Sequence, residues 1–271
     1  MVDQYYYNLR VINNPVHMTK TSFIYISGIA TLCLTLPSLA KVTQSNRKGA
    51  WTTEQQLAGF KLPEGFVIEL VASEKNGLIN PIDLTFDDAG RLWTQTAQMY
   101  PLDPVTGQSW NQTLKMMKDP KLGEKYPKVL AIQKLYKLET RGKDKILIVD
   151  QPTRKAEGPL KVWADGLSIP QSILPYKDGC YVAHGSEMFF LQDTNNDGKQ
   201  DKVNTVMSGF GIFDTHTMAH SLVRGPGGWI NFSHGALNSG KVKVHKSGQE
   251  LLGILLGICF LGEVVGGAFM R

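Results

Sequence analysis

The sequence lacks the paired cysteines of a disulfide-stapled or zinc-binding domain. Its three cysteines, Cys33, Cys180 and Cys259, lie far apart and form no Cys-x-x-Cys pair. We therefore expect no zinc ribbon, no haem attachment motif and no structural disulfide. With 42% hydrophobic and 20% charged residues, the composition is that of a folded globular protein rather than a disordered one.

The sequence also lacks clustered basic residues and the common catalytic signatures. The formal net charge of +5 is spread along the 271 residues without a Lys/Arg run or a basic helix, so nucleic-acid binding is not predicted. No Ser-x-x-Lys, Gly-x-Ser-x-Gly, Walker or dinucleotide fingerprint is present, so nicotinamide or ATP chemistry has no support.

Residues 1–40 have the pattern of a leader followed by a secretory signal peptide. Met18 is a possible true start, Lys20 leads into the apolar run 23–36, and residues 37–40 (Pro-Ser-Leu-Ala) suit a cleavage site. The alternative is an uncleaved membrane helix, although the run is shorter than the ~20 residues that a spanning helix needs. Both interpretations predict a periplasmic or extracellular domain, which is membrane-anchored in the second case.

Residues 251–271 form an apolar tail with several glycines and a single acid, Glu263. A membrane-spanning helix is one interpretation of this tail. The other, which we favour, is that the chain is cut short or shifted out of frame and that the tail is an artefact. Between the two apolar ends we assign residues 41–59 to a linker or short helix and residues 60–250 to the folded domain.

The folded domain is dominated by short alternating segments with glycine-containing turns between them, which is typical of antiparallel strands. Residues 103–128 are poor in strand character and are interpreted as an insertion loop with at most one helix. Strands are predicted at 66–72, 81–86, 91–95, 134–138, 145–149, 160–163, 173–176, 180–183, 187–192, 203–207, 222–224 and 229–232.

Glycine turns recur along these strands at regular spacing. Gly90, Gly179 and Gly228 each precede an aromatic-containing strand and are separated by 89 and 49 residues, while Gly166 and Gly209 are 43 residues apart. Units of roughly 45 residues built from strands and turns are typical of β-propeller blades. The sequence therefore predicts an all-β propeller, incomplete at about four blades, with a β-sandwich as the alternative.

An acidic loop predicts a cation site. Oxygen-bearing side chains recur at loop positions 1, 3, 5 and 9, and Gly198 occupies position 6, as in calcium loops of the EF-hand type. The carbonyl of Lys199 supplies a further oxygen at position 7, but position 12 is Asn204 instead of glutamate. An ordinary surface turn is the alternative. The predicted ligands are Asp193, Asn195, Asp197, Lys199 and Asp201.

Histidines gather in the second half of the domain. His216 and His220 follow Asp214, whereas His184 and His234 are each followed by glycine at the ends of equivalent strands. An imidazole held by a carboxylate such as Asp214 or Glu187 can act as a general base. A transition-metal site and a purely structural role are the alternatives.

Several segments resemble the propeller of the PVC-type membrane-bound dehydrogenases, also called PVC-type haem-binding proteins, over roughly residues 60–240. That propeller is similar to the soluble glucose/sorbosone dehydrogenases. The segments that carry the resemblance are KLPEGFVIELVAS, NPIDLTFDDAGRLW, WADGLSIPQSIL, VAHGSEMFFLQDTNNDGKQDK and GFGIFDTHTMAHSLVRGPGGWI.

The resemblance implies a secreted, six-bladed propeller and a sugar or alcohol dehydrogenase that uses pyrroloquinoline quinone (PQQ) and Ca²⁺. It implies that His216 or His220, with Asp214, is the base that takes the substrate hydroxyl proton. We predict that His184, His234 and Arg224 contact the quinone. A cytochrome is the electron acceptor expected from the resemblance, although this chain carries no haem motif of its own.

The chain also departs from the family pattern. Residues 150–155 replace a second cation loop, Gly227 stands where aspartate is usual, and the later blades are missing. These departures predict weak cofactor binding, and a dehydrogenase that is inactive as truncated. A non-catalytic extracellular propeller that binds a glycan or a protein is therefore the alternative function.

Overall fold

The computed structural model describes residues 6–11, 49–226, 230–235, 238, 240–245 and 258–260, with the backbone alone at 6–11, 120 and 258–260. The predicted signal segment, most of the apolar tail and residues 227–229 lie outside the described residues. Within the described part, no helix is both long enough and apolar enough to cross a membrane.

Strands account for most of the regular structure in the described residues. In chain order they are β1 (Tyr6–Val11), β2 (Phe66–Ala72), β3 (Leu84–Phe86), β4 (Leu92–Gln95), β5 (Asp144–Val149), β6 (Lys161–Leu167), β7 (Ser172–Tyr176), β8 (Gly179–His184), β9 (Glu187–Gln192), β10 (Lys202–Ser208), β11 (His220–Arg224), β12 (Ile230–Ser233), β13 (Lys243–Val244) and β14 (Ile258–Phe260). The helices are α1 (Thr53–Gly59), α2 (Trp110–Lys118), α3 (Pro120–Gly123) and α4 (Pro127–Tyr136).

The strands form four sheets, with the orders β1-β2, β3-β4-β5-β6, β7-β8-β9-β10-β13 and β11-β12-β14. Pairing is antiparallel throughout β3 to β13, whereas β12 and β14 are parallel. The first strands of the three larger sheets are neighbours, since β7 contacts both β3 and β11. This is the arrangement of adjoining propeller blades around their innermost strands. The all-β prediction is confirmed, and the described strands do not close a ring.

The chain divides into two compact units near Leu70. In the first unit, α1 lies within the predicted linker and begins at a capping box: the Thr52 hydroxyl accepts from the Gln55 N–H, and the Gln55 side chain accepts from the Thr52 N–H. The second unit contains the three larger sheets and the helical insertion between β4 and β5.

The predicted hairpin between β3 and β4 is present because Asp87 organises its turn. The Asp87 carboxylate accepts hydrogen bonds from the Arg91 N–H at 2.9 Å and from the Trp93 indole N–H at 2.8 Å. Gly90 has φ of 77°, a conformation that glycine adopts without strain. Together these contacts set the pairing of Leu84 with Thr94.

The insertion between β4 and β5 contains α2, α3 and α4, so the prediction of a loop with at most one helix is wrong, as is the strand predicted at residues 134–138. Residues 134–138 form the end of α4 and the residues after it, because Val129, Ile132 and Tyr136 recur at helical spacing and are fully or almost fully buried. The helical insertion therefore includes residues that the repeat spacing had assigned to strands of the propeller blades. In the described residues, β3–β6 and β7–β10 each correspond to one four-stranded blade, and β11 and β12 correspond to the first strands of a third blade.

Apolar layers fill the spaces between neighbouring sheets. One layer joins β4–β6 to β7–β9 and contains the edge-to-face pair of Trp93 and Trp163, whose rings are 4.9 Å apart. A second layer joins the sheet of β7–β10 to β11 and β12 and includes Tyr181, Phe190 and Phe232. These layers fix the ends of the strands relative to each other.

A polar chain, that is, a series of linked hydrogen bonds, joins the three innermost strands β3, β7 and β11. The Asp83 carboxylate, just before β3, accepts from the Ser172 hydroxyl at 2.6 Å and from the Ile173 N–H at 3.0 Å. The Ser172 hydroxyl in turn accepts from the Leu222 N–H of β11 at 2.9 Å. Burial raises the pKa of Asp83, although the hydrogen bonds and the charge of His220 act in the opposite direction.

Candidate functional site

The predicted histidines and the predicted cation loop lie at opposite ends of the sheets. β8 ends at His184, β11 begins at His220 and β12 ends just before His234, so these histidines share what we call the histidine end. The cation loop, Asp193–Asp201, follows the far end of β9. The six residues of β9 span roughly 20 Å at ~3.3 Å per residue, which separates the two features.

At the histidine end, His216 and Asp214 form a hydrogen-bonded pair. Nδ1 of His216 lies 3.0 Å from Oδ1 of Asp214, and the His216 side chain is 65% exposed. Since Nδ1–H donates to the carboxylate, Nε2 is the nitrogen that can accept a proton. Burial of Asp214 raises its pKa, but hydrogen bonds from His216 and Thr217 outweigh this effect and hold the pKa below the usual range.

The loop that carries this pair is anchored by side chains from distant parts of the chain. Asn238 exchanges two hydrogen bonds with the Asp214 backbone, at 2.9 and 2.6 Å. The Thr215 hydroxyl donates to the Leu102 carbonyl at 2.9 Å, and the Gln171 amide donates to the Thr215 carbonyl at the same distance. The pair is therefore held in a fixed position.

His220 and His234 follow the His216–Asp214 pair in the chain: His220 is the first residue of β11, and His234 comes directly after β12. Nδ1 of His220 donates to the Met218 carbonyl at 2.7 Å, which leaves Nε2 as an acceptor. Nε2 of His234 is buried and has no hydrogen-bond partner among the described residues. Burial, followed by the charge of His220, lowers the pKa of His234. Because the charge of His220 also acts on Asp83, the three side chains form one electrostatic group.

His184 has a structural position. Its Nδ1 donates to the Tyr136 carbonyl at 2.8 Å and its Nε2 accepts from the Ser168 N–H at 2.8 Å, so both ring nitrogens are used. Burial lowers its pKa to about 4, despite the hydrogen bond to Tyr136. In this geometry, the imidazole joins α4 to the loop before β7 and leaves no nitrogen for a quinone.

The glycines after His184 and His234 are explained by close approaches of other elements. A Cβ on Gly185 would lie 2.2 Å from the Tyr136 ring, and one on Gly235 would lie 2.2 Å from Cβ of Thr217. Gly185 also has φ of 59°. The repeated His-Gly pattern thus marks two places where the backbone must pass close to a packed side chain.

Asp144 is a buried residue of this end that sequence reasoning missed. Its carboxylate accepts from the Gln98 N–H at 2.6 Å, the Ile169 N–H at 2.8 Å and the Thr96 hydroxyl at 3.2 Å. Burial raises its pKa, and these hydrogen bonds oppose the rise. A single acid at the start of the apolar strand β5 was the available signal. Asp83 offered the same signal in the sequence, because it is the single acid in the alternating segment 81–86, which contains β3.

The cation loop is closed by its own amides. Asp193 accepts from the Asp197 and Gly198 N–H groups at 3.1 and 2.8 Å, and Asp197 accepts from the Lys199 N–H at 2.9 Å. The Asn195 side chain accepts from the Asp197 N–H and donates to the Asp197 carboxylate. The Asp201 carboxylate accepts from the Thr194 N–H. In the part of the chain that the structure describes, no group of three or more His, Cys, Asp or Glu side chains is arranged to hold a metal ion.

Arg224 lies at the end of β11 that is remote from His220. Its guanidinium donates to Asp88 at 3.0 Å and to the Pro175 carbonyl at 2.6 Å, and it stacks over the Tyr176 ring at 5.3 Å. These contacts join β11 to β7 and to the β3–β4 turn. The predicted quinone set of His184, His234 and Arg224 is therefore not gathered at one place.

The sequence matches a domain of unknown function (DUF7133) over residues 52–254, which is most of the chain and includes β2 to β13. The chain belongs to the DUF7133 family. No curated protein and no solved structure matches it. The histidine end and the cation loop of this DUF7133 domain both lie inside the matched residues.

The two implied ligands fit the DUF7133 domain differently. The cation loop offers carboxylate and amide oxygens, whose remaining lone pairs suit a hard cation such as Ca²⁺. PQQ is a fused-ring quinone with three carboxylates and needs cations or donors on one surface. His184 and Arg224 are engaged at opposite ends of the sheets, so the predicted residues do not fit PQQ.

Proposed function

We propose that this DUF7133 domain is a dehydrogenase-like propeller segment that takes the hydroxyl proton of a sugar or alcohol at the histidine end. The observation that carries the proposal is the 3.0 Å contact between His216 Nδ1 and Asp214 Oδ1 on an exposed imidazole. A carboxylate that holds Nδ1–H fixes the tautomer and stabilises the imidazolium that forms when Nε2 takes a proton.

Oxidation of a CH–OH group releases one proton and one hydride. The His216–Asp214 pair accounts for the proton, and Nε2 of His220 is a second acceptor four residues along the chain. Because the predicted contacts to PQQ are not gathered, no hydride acceptor is assigned, and the described residues are proposed to bind the substrate and to take its hydroxyl proton.

We further propose that the cation loop binds Ca²⁺ as a support for the hairpin of β9 and β10. Asp193, Asn195 and Asp197 provide side-chain oxygens. The carbonyl of Lys199 and the carboxylate of Asp201 complete the predicted set. Since this loop lies roughly 20 Å from the histidine end, the ion acts on blade stability and not on the base.

The alternative proposal is a non-catalytic propeller that binds a glycan or a protein. It is favoured by the positions of His184 and Arg224, whose polar atoms already have structural partners. Secretion, membrane association through either apolar end, and a cytochrome as electron acceptor remain predictions from the sequence.

Dye reduction with aldoses and alcohols tests the proposal. The protein is incubated with Ca²⁺ and with added PQQ as an external hydride acceptor, and His216→Ala and His220→Ala are compared with His245→Ala, a histidine whose ring contacts Ser208. We expect turnover that His216→Ala lowers and His245→Ala preserves. Sugar binding without turnover would support the non-catalytic alternative. Absence of both binding and turnover would remove the dehydrogenase function and the binding of these sugars.

A further inference from the structure

A cavity of about 660 Å³ lies between the helical insertion and the second sheet. Its walls come from α2, α4, the β8–β9 turn and residues 208–213. This volume is within the range of small-molecule sites. The lining does not include Asp214, His216 or His220, so the cavity does not depend on the proposed base.

The rim of the cavity is strongly basic. Four lysines from three separate segments face it: Lys118, Lys121, Lys137 and Lys241. Asp119 is the acid at this rim. The excess of positive charge favours an anionic ligand, since converging lysines raise the local concentration of anions.

The inner wall offers hydroxyl partners and an apolar surface. Ser186 and Glu187 are buried in the wall, and the Ser186 hydroxyl donates to Glu187 at 3.2 Å. Phe210 and Phe213 line the same cavity as part of its apolar floor, although each is only 4% exposed. Polar groups that can bond hydroxyls, placed beside an apolar floor, are suited to a carbohydrate.

We propose that this lysine cavity binds an acidic sugar, that is, a carbohydrate ring that carries a carboxylate. The carboxylate lies among the four lysines, and the ring lies over the floor of the cavity. The ring hydroxyls contact Ser186 and the carboxyl group of Glu187. Protonated Glu187 donates to the ligand, whereas ionised Glu187 repels its carboxylate.

The protonation state of Glu187 therefore controls affinity. Burial raises the pKa of Glu187 to about 7, with the Ser186 hydroxyl and Lys137 acting against the rise and Glu139 adding to it. The charged and titratable groups on the elements around it are Lys118, Asp119, Lys121, Lys137, Glu139, His184, Lys241 and His245. Both ring nitrogens of His184 are used by backbone groups, so Glu187 is the buried group that is left to face the ligand.

The expected effect follows from the fraction of protonated Glu187. If the protonated form alone binds, the apparent Kd increases about tenfold between pH 6 and pH 8. Glu187→Gln keeps a neutral donor at all pH values, so its affinity stays near the value of the wild type at pH 6. Lys137→Met removes one rim charge and is expected to weaken binding two- to fivefold. Lys177→Met, at the opposite end of the sheets, is the matched control.

Calorimetric titration with D-glucuronate, D-glucose and inorganic phosphate tests the proposal. We expect glucuronate to bind at least tenfold more tightly than either of the others, with a pH dependence that Glu187→Gln removes. Equal binding of glucose would show that the lysines do not recognise the ligand. Equal binding of phosphate would show a site for bare anions. Either result, or an unchanged pH profile in Glu187→Gln, would overturn the proposal, as would no binding of glucuronate.

Discussion

Replacing Asp144 by alanine tests how the helical insertion is held on the sheets. Asp144 is fully buried at the start of β5, and its carboxylate joins the beginning of the insertion to the loop before β7. The Ile169 N–H, which it binds at 2.8 Å, belongs to a fully buried residue with φ of 47°. Alanine leaves this donor without an acceptor.

The size of the effect can be worked out from the lost contacts. A buried donor left unsatisfied costs about 1–3 kcal/mol, and the Ile169 and Gln98 N–H groups both lose their acceptor. Gln98 is exposed and can bond water, which limits its share. Removal of a buried carboxylate, whose pKa is raised by burial, returns part of the cost. We expect a net loss of roughly 2–4 kcal/mol in the free energy of unfolding.

Urea unfolding, followed by tryptophan fluorescence and circular dichroism, measures this difference. Asp144→Asn retains one carbonyl acceptor and should lose about half as much. Asp88→Ala is the control, because Asp88 is 82% exposed and makes a surface ion pair with Arg224 worth at most about 1 kcal/mol. Equal midpoints and slopes for Asp144→Ala and Asp88→Ala would refute the structural role of Asp144.

Three further predictions concern pH, packing and metal binding. The pKa of His184 is lowered to about 4, so between pH 4 and 6.5 the unfolded state binds more protons than the folded state. The free energy of unfolding is therefore expected to fall by about 3 kcal/mol as the pH decreases through this range. Glu187, with a pKa raised to about 7, has the opposite effect between pH 4.5 and 7, so the pH dependences of stability due to His184 and Glu187 nearly cancel. Thermal melts of Glu187→Gln should therefore reveal the acid sensitivity due to His184, and a melting temperature that does not change with pH in this variant would contradict the prediction. Gly185→Ala should lower the melting temperature well beyond Gly65→Ala, because both glycines have positive φ but only Gly185 faces a ring; equal losses in calorimetric scans would argue against the contact with Tyr136. Calcium should raise the melting temperature and Asp193→Ala should abolish this rise, while the NMR signals of the His216 ring keep their positions; calcium-dependent shifts of those signals would contradict the separation of the two ends.

The strands were predictable where a turn and two alternating segments lie side by side. The β3–β4 hairpin follows from the Asp87 turn and the alternation on either side of it, all within about fifteen residues. Residues 134–138 mislead because a short apolar segment is compatible with either a strand or a helix. The burial of Val129, Ile132 and Tyr136 shows that this segment continues a helix.

The functional site was less predictable because tertiary contacts distinguish its histidines. His184 and His234 share the same local pattern, yet His184 has two buried backbone partners, one of them 48 residues away in the sequence. The pairing of His216 with Asp214 was predictable, since the two residues are only two positions apart on one short turn. Asp144 and Glu187 acquire their raised pKa values from burial, which sequence spacing does not encode.

The polar chain between the innermost strands also has a consequence for how the protein folds. Asp83 and Ser172 are 89 residues apart in sequence, and the contact between Thr215 and Leu102 spans 113 residues. The β8–β9 hairpin, in contrast, closes a loop of two residues. Local hairpins form much faster than contacts that close long loops. The local hairpins are therefore expected to form first and the histidine end to be assembled last, when Asp83 and Ser172 meet.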